Sequence, residues 1–210
     1  MSGVLSRDAL SGGLLSMKWR DLLFAHWPVA PRMVAAGLPE GVAVDTHDGD
    51  PGVYFFNLDA DDRVGIRIAR SVFQLPYYRA EMDVQTSGSG RDREVRFGSR
   101  RTSADAPSAA FDATCGPGGS FSAPDPESEA AFLTERYRFY TTDDDGRVYH
   151  GGINHEPWSL AAGRAEIREN GLFEANGFEA PAGEPLLQFA APITVTAGRI
   201  RRPSSHDTAY

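Results

Sequence analysis

Lysine is nearly absent from this chain: Lys18 is the only one, beside 20 arginines. Any reaction that needs a side-chain primary amine therefore has a single candidate. Cysteine is as scarce. Cys115 stands alone, which excludes an internal disulfide and a cysteine-rich zinc cluster. It precedes Gly116-Pro117-Gly118-Gly119, a loop signal, with no basic partner nearby, so a small buried apolar role is expected of it. No apolar run reaches the roughly 18 residues that a membrane-spanning helix needs. GxSxG, P-loop and dinucleotide-binding fingerprints are missing. So is any excess of positive charge. The net charge of -8 argues against nucleic acid as a partner, because its phosphates need neutralising.

What is present suffices for a core. Of 210 residues, 41% are hydrophobic and 24% charged, the balance of one globular domain. Aspartate outnumbers glutamate, 17 to 12. With so little lysine, this fits a halophilic protein kept soluble in concentrated salt by a hydrated acidic surface. A GC-rich genome would equally favour arginine over lysine. The start, MSGVLSRDALSGGLLSMKWR, lacks the basic segment and apolar stretch of a secretory signal, so a cytoplasmic protein is expected. Residues 1–16 read as a loose tail, with Met17 an alternative start, 17–202 as one domain and 203–210 as a second tail.

WRDLLFAHWPV, residues 19–29, fits a strand by the alternation of Leu22, Phe24 and His26. It also fits a helix by the spacing of Trp19, Leu22, Leu23 and His26, and so short a run does not decide. Next come a short helix after Pro31, a strand over 42–46 and a buried strand over 52–58. A helix over 61–73 has Asp61 and Asp62 at its start and Val64, Ile68 and Val72 along one stripe. RAEMDVQT and REVRFGSRR alternate about Ser87-Gly88-Ser89-Gly90, an antiparallel hairpin with one wet face. Glu81 and Asp83 balance its arginines. AAFDATC is a strand and PESEAAFLTE a short helix. RYRFYTT and RVYHGGI form a hairpin around Asp143-Asp144-Asp145-Gly146. Further strands are expected near 163–169, 186–190 and 193–200. The sum is α+β, mostly antiparallel sheet, closed or nearly closed into a barrel.

The densest chemistry lies in 132–158. Read as the opening of a strand, Glu135, Tyr137 and Phe139 share one side. If that side looks inward, Glu135 loses water and becomes a candidate general acid or base; if outward, it is a surface charge. His155, beside Glu156, is the second catalytic candidate. His150 and His155 are five apart across Gly-Gly, the wrong spacing for a helical zinc pair, so no metal is expected, and no cofactor. The DDDG turn lacks the alternating aspartates and closing glutamate of a calcium loop. Tyr78 and Arg79, after Tyr77, either form a packed corner or hold a carboxylate with phenol hydroxyls and a forked donor.

GVYFFNLDADDRVGIRIAR, LPYYRAEM, FLTERYRFYT and HEPW, with WRDLLFAHWPV before them, resemble the YqjF-like family of uncharacterised proteins (DUF2071) in the acetoacetate decarboxylase-like superfamily. The similarity runs from Trp19 to about Arg201, with the motifs in order. It implies a conical, mostly antiparallel β-barrel with a few peripheral helices and a central cavity. Two departures stand out. Acetoacetate decarboxylases hold substrate as an imine on a buried lysine, whereas Lys18 precedes every matching motif, so an imine mechanism is not expected. Relatives also carry a substantial stretch where only Pro51 separates Asp48-Gly49-Asp50 from Gly52-Val53-Tyr54-Phe55, so the sheet is expected to be incomplete near 48–53.

The expected function is small-molecule binding, of an organic acid such as a carboxylate held by Arg79 or of an apolar compound, in a cavity lined by Tyr54, Phe56, Tyr78, Glu135, Tyr137, His155 and Trp158. Two alternatives stay open. One is a lysine-independent lyase or hydrolase acting on a small organic acid, with Glu135 or His155 as acid/base. The other is a reduced remnant lacking part of its sheet.

Overall fold

A computed structural model describes residues 15–29, 80–101, 108–143, 145–175 and 178–203, with Arg32 and Ala35. Of the expected helix after Pro31 only Arg32 and Ala35 are described, both helical; the strands over 42–46 and 52–58, the helix over 61–73 and the 48–53 connection lie outside the described residues. So do Tyr54, Phe56, Tyr78 and Arg79.

The ambiguous segment is extended. It supplies β1 (Leu15–Trp19) and β2 (Leu22–His26). All five residues of β2 are buried, because both faces of the strand are covered. Leu23 and Ala25 join one apolar cluster, Leu22 and Phe24 another. A strand wrapped on both faces has no polar side, so its sequence shows no clean period of two.

The remaining described strands are β3 (Ala80–Ser87), β4 (Glu94–Arg101), β5 (Ala110–Pro117), β6 (Arg138–Thr142), β7 (Val148–Asn154), β8 (Leu160–Asn170), β9 (Leu186–Ala190) and β10 (Ile193–Ala197). Short helices α1 (Glu129–Thr134) and α2 (Leu172–Ala175) accompany them. Every pairing among the described residues is antiparallel. Among the described residues the strands form a four-stranded sheet, β1-β10-β7-β6, and a six-stranded sheet, β2-β9-β8-β5-β4-β3. This is the α+β, mainly antiparallel architecture expected, drawn as two sheets and not as one closed ring.

One ribbon joins the sheets. β1 pairs with β10 in the first and β2 with β9 in the second. Trp19 faces Ile193 on one side of the corner and Leu22 faces Ala190 on the other, so neither strand gains or loses a residue in turning. Asp21 makes the turn at φ 55°, a left-handed conformation that Asp tolerates better than most side chains. Its carboxylate takes a two-pronged grip from Arg93, Nε to Oδ1 and Nη2 to Oδ2, both at 2.7 Å. The corner is thereby tied to the turn between β3 and β4.

The two apolar clusters lie on opposite faces of β2. One sets Leu23, Ala25 and Trp27 against Phe97, Phe111 and Phe173. The other lies between the sheets and holds Trp19, Phe24, Ile153, Trp158, Leu160 and Val195. Full burial of each such side chain stabilises by roughly 1.5–3 kcal/mol. Cys115 belongs to the first cluster, and burial pushes its thiol up to about 12, as suits an inert small apolar residue.

Sequence periodicity held on β4, where Val95 and Phe97 are buried and Glu94 and Arg96 exposed. It failed on β3. Residues 83–87 are all exposed and Val84 keeps 50% of its surface; among the described residues β3 is outermost and the core stops at β4. The 138–154 hairpin closes as its Asp-Gly turn dictates. Gly146 takes φ 76°, and Asp143 Oδ1 accepts the N–H groups of Asp145 and Arg147. Those donors hold the Asp143 carboxyl below its ordinary range, Arg147 N–H first. Among the described residues no helix is long and apolar enough to cross a membrane.

Candidate functional site

The site is assembled where α1 ends. Ser128 caps the helix, its hydroxyl accepting the Ala131 N–H at 3.2 Å, and Glu129 lies in the first turn, where a carboxylate is favoured. The helix runs one residue further than strand alternation implies: Glu135 N–H donates to Ala131 O at 2.8 Å. Glu135 is thus the C-cap of α1 and not the first residue of a strand, which corrects the expected alternation. β6 begins at Arg138, although Tyr137 O already accepts Ile153 N–H at 2.8 Å.

Glu135 and Tyr137 nonetheless meet. The Tyr137 hydroxyl donates to Glu135 Oε2, and the backbone N–H of Trp158 donates to Oε1 at 2.9 Å. The Trp158 indole Nε1–H donates to Thr134 O at 3.0 Å, a helix-end carbonyl that also accepts the Arg136 N–H at 2.9 Å. The loop before β8 is therefore docked on the end of α1 by two hydrogen bonds, both from Trp158. With Tyr137 on Oε2, both oxygens of Glu135 are engaged.

His155 lies beside this latch. Its ring centroid is 4.7 Å from that of Tyr137 and 4.7 Å from that of Trp158. Nδ1 is 2.7 Å from Glu156 O, and since a carbonyl only accepts, Nδ1 carries the proton. Burial lowers the His155 pKa below its ordinary value; the Glu156 carbonyl and the Glu135 and Glu156 carboxylates pull the other way. The ring is neutral at pH 7, with its lone pair on Nε2. Nε2 has no hydrogen-bond partner among the described residues and is not among the sealed polar atoms.

From His155 an aromatic series runs into the core between the sheets. Trp158 meets the edge of Phe24 at 5.1 Å, Phe24 stacks on His26 at 5.9 Å, and Trp19 stacks on Trp158 at 6.0 Å. His26 is buried, and desolvation lowers its pKa to about 3. The distant N-terminal strand thus supports the site through rings.

Of the candidate residues, Glu135, Tyr137, His155 and Trp158 come together; the other four lie outside the described residues. Trp158 is 2% exposed, while Glu135 and Tyr137 are half-buried. His150 is held elsewhere, its backbone paired in both directions with Arg201 at 2.8 and 2.9 Å. Among the described residues no group of three or more His, Cys, Asp or Glu is placed to hold a metal ion. Sequence reasoning missed Thr134, whose role is a backbone carbonyl and leaves no trace in residue type. It also passed over Trp19 and Phe24 as supports, although the aromatic density of 19–27 was a signal.

The profile of a family described as an uncharacterized conserved protein, DUF2071, matches residues 16–51 and 46–194. The chain is 31% identical to the uncharacterized protein YqjF of Bacillus subtilis (strain 168) over 233 residues, 90% of this chain and 92% of that protein. That aligned span is longer than the whole chain of 210, so the relative carries residues with no counterpart here. The family match divides at 46–51, beside the connection expected to be shortened. No solved structure matches.

Proposed function

This chain belongs to the DUF2071 family of YqjF-like proteins, and from that premise we propose that it binds a small molecule at a site built on His155, Tyr137 and Trp158. The observation that carries the reading is His155 itself. It is a neutral imidazole, 8% exposed, with its tautomer fixed by Glu156 O and its Nε2 left for a ligand. Apolar walls with one oriented polar atom are what a small-molecule site needs.

A barrel of the acetoacetate decarboxylase-like kind is part of the same proposal. The ribbon of β1–β2 and β9–β10 supports it, since strands that turn from one sheet into the next without losing register are how sheets curl toward closure. An imine mechanism gains no support: Lys18 is exposed on β1, opposite Thr194. A lyase or hydrolase reading is favoured by one feature, the unbonded Nε2, which suits a general base. Glu135 suits that role less, with both oxygens bonded. The divided family match supports the reading of a shortened sheet.

The test is a thermal-shift screen of the full chain against small phenols, amides, ketones and carboxylates. A ligand at about 100 times its Kd stabilises by roughly 2.7 kcal/mol, enough to raise Tm by several degrees. The shift should vanish in His155→Gln while cooperative melting persists. A chain that no such compound stabilises, and from which mass spectrometry releases no co-purified molecule, would refute the reading.

A further inference from the structure

Among the described residues the hydrogen-bond donors around His155 are already spent. Trp158 N–H is given to Glu135 Oε1, Trp158 Nε1–H to Thr134 O, Tyr137 O–H to Glu135 Oε2 and His155 Nδ1–H to Glu156 O. What the described residues of the site still offer is an acceptor, His155 Nε2. A ligand carboxylate placed there would bring acceptor to acceptor. It would also meet the Glu135 carboxylate, which the Tyr137 and Trp158 groups flanking the imidazole already hold. A ligand donor would instead be paired, and a buried polar atom that gains a partner discriminates strongly against a ligand lacking one.

We infer that the ligand group seated at His155 is a hydrogen-bond donor, a hydroxyl or amide N–H of an uncharged molecule, and not a carboxylate. The inference rests on the proposed ligand site and names the class of molecule it takes. Burial keeps His155 neutral at pH 7, so it has no second proton to offer an anion. Among the described residues the charged groups that act on it, Glu135 and Glu156, are both acidic and reinforce the choice.

The experiment uses the full chain with nitrogen-15-labelled histidine at pH 7.5. Phenol, catechol and benzamide are titrated against benzoate and acetate, and the His155 ring signals are followed, assigned by loss in His155→Gln. Neutral donors should bind at least about tenfold more tightly than the carboxylates. They should move the Nε2 signal as an accepted hydrogen bond does, with Nδ1 still protonated. Should benzoate or acetate bind as tightly and drive His155 to the doubly protonated form, the donor assignment is overturned while the ligand site survives. Should neither class move His155, the ligand site itself fails, and the donor assignment with it. If His155→Gln does not fold, assignment through the Tyr137 ring contact in the wild-type protein keeps the same three outcomes readable.

Discussion

Glu135 Oε1 accepts the backbone N–H of Trp158 at 2.9 Å, joining the end of α1 to a loop 23 residues further along the chain. A half-buried carboxylate with a donor on each oxygen acts as a fastener. It places Trp158, and Trp158 places His155. Glu135 is therefore a positioning residue for the site that His155 presents.

Glu135→Gln tests this. The amide keeps the length of the side chain and loses the charge, and one of its two ends can no longer accept. Hydrogen bonds to charged groups contribute about 1.5–3 kcal/mol, so a loss of roughly that size is expected in urea denaturation, with m unchanged. The near-ultraviolet circular dichroism of Trp158 should change with it. A variant as stable as the parent would show that the latch does not matter.

Two histidines make stability depend on pH. Burial lowers the pKa of His26 from 6.5 to about 3 and that of His155 below 6.5. Below about pH 6.5 the unfolded chain takes up protons that the folded chain refuses. The stability these residues contribute is complete above the unfolded pKa and is lost as pH falls toward the folded one. For His26 the loss reaches up to about 1.4 kcal/mol per pH unit between roughly pH 6 and 3. His26→Phe, which keeps a ring against Phe24, should flatten the slope of chemical denaturation measured from pH 7 to pH 4.5. An unchanged slope would place the titration elsewhere.

Salt should stabilise this protein. With a net charge of -8, the compact state carries more self-repulsion than the unfolded one, and ions screen it over about 10 Å at 0.1 M. Raising potassium chloride from 0.1 M toward the molar range should raise Tm. If Tm is flat or falls, the arginine-rich, lysine-poor composition reflects codon usage and not adaptation to salt.

Much of the sheet was legible because its strands have one wet face or a marked turn. Val95 and Phe97 announce β4, and the Asp-Gly pair announces the 138–154 hairpin. β2 was ambiguous for the opposite reason: buried on both sides, it has no alternation to read. The site was half legible. Tyr137, His155 and Trp158 are conspicuous residue types close together in the chain, and they do meet. Glu135 falls both at the end of the PESEAAFLTE helix and at the opening of the strand alternation, and the structure keeps the helical reading, its N–H bonded to Ala131 O; the tertiary bond from Trp158 that fixes its side chain has no local signature. The supporting rings of Trp19 and Phe24 arrive through strand pairing more than 160 residues apart in sequence, as between Trp19 and Ile193, a relation that no window along the chain contains.

The corner between the sheets offers the sharpest mutational contrast. Asp21 has two duties there: it adopts a left-handed backbone and it receives both prongs of Arg93. Asp21→Asn keeps the tolerance for φ 55° and loses the charge, so it should cost about 1–2 kcal/mol from the weakened grip alone. Asp21→Gly removes the grip but also the backbone penalty, worth roughly 1 kcal/mol, and should fall near the same value. Asp21→Ala loses both and should be the least stable of the three, by about a further 1 kcal/mol. Gly116 closes the argument from the other side of the same turn, because a Cβ there would come within 2.2 Å of Arg93 O, a backbone atom that cannot step aside. Gly116→Ala must displace the residue that grips Asp21. In a double-mutant cycle, Gly116→Ala and Asp21→Asn should therefore couple, their combined cost in urea denaturation being smaller than the sum of the two alone. Strict additivity would mean that the corner and the β3–β4 turn are held independently.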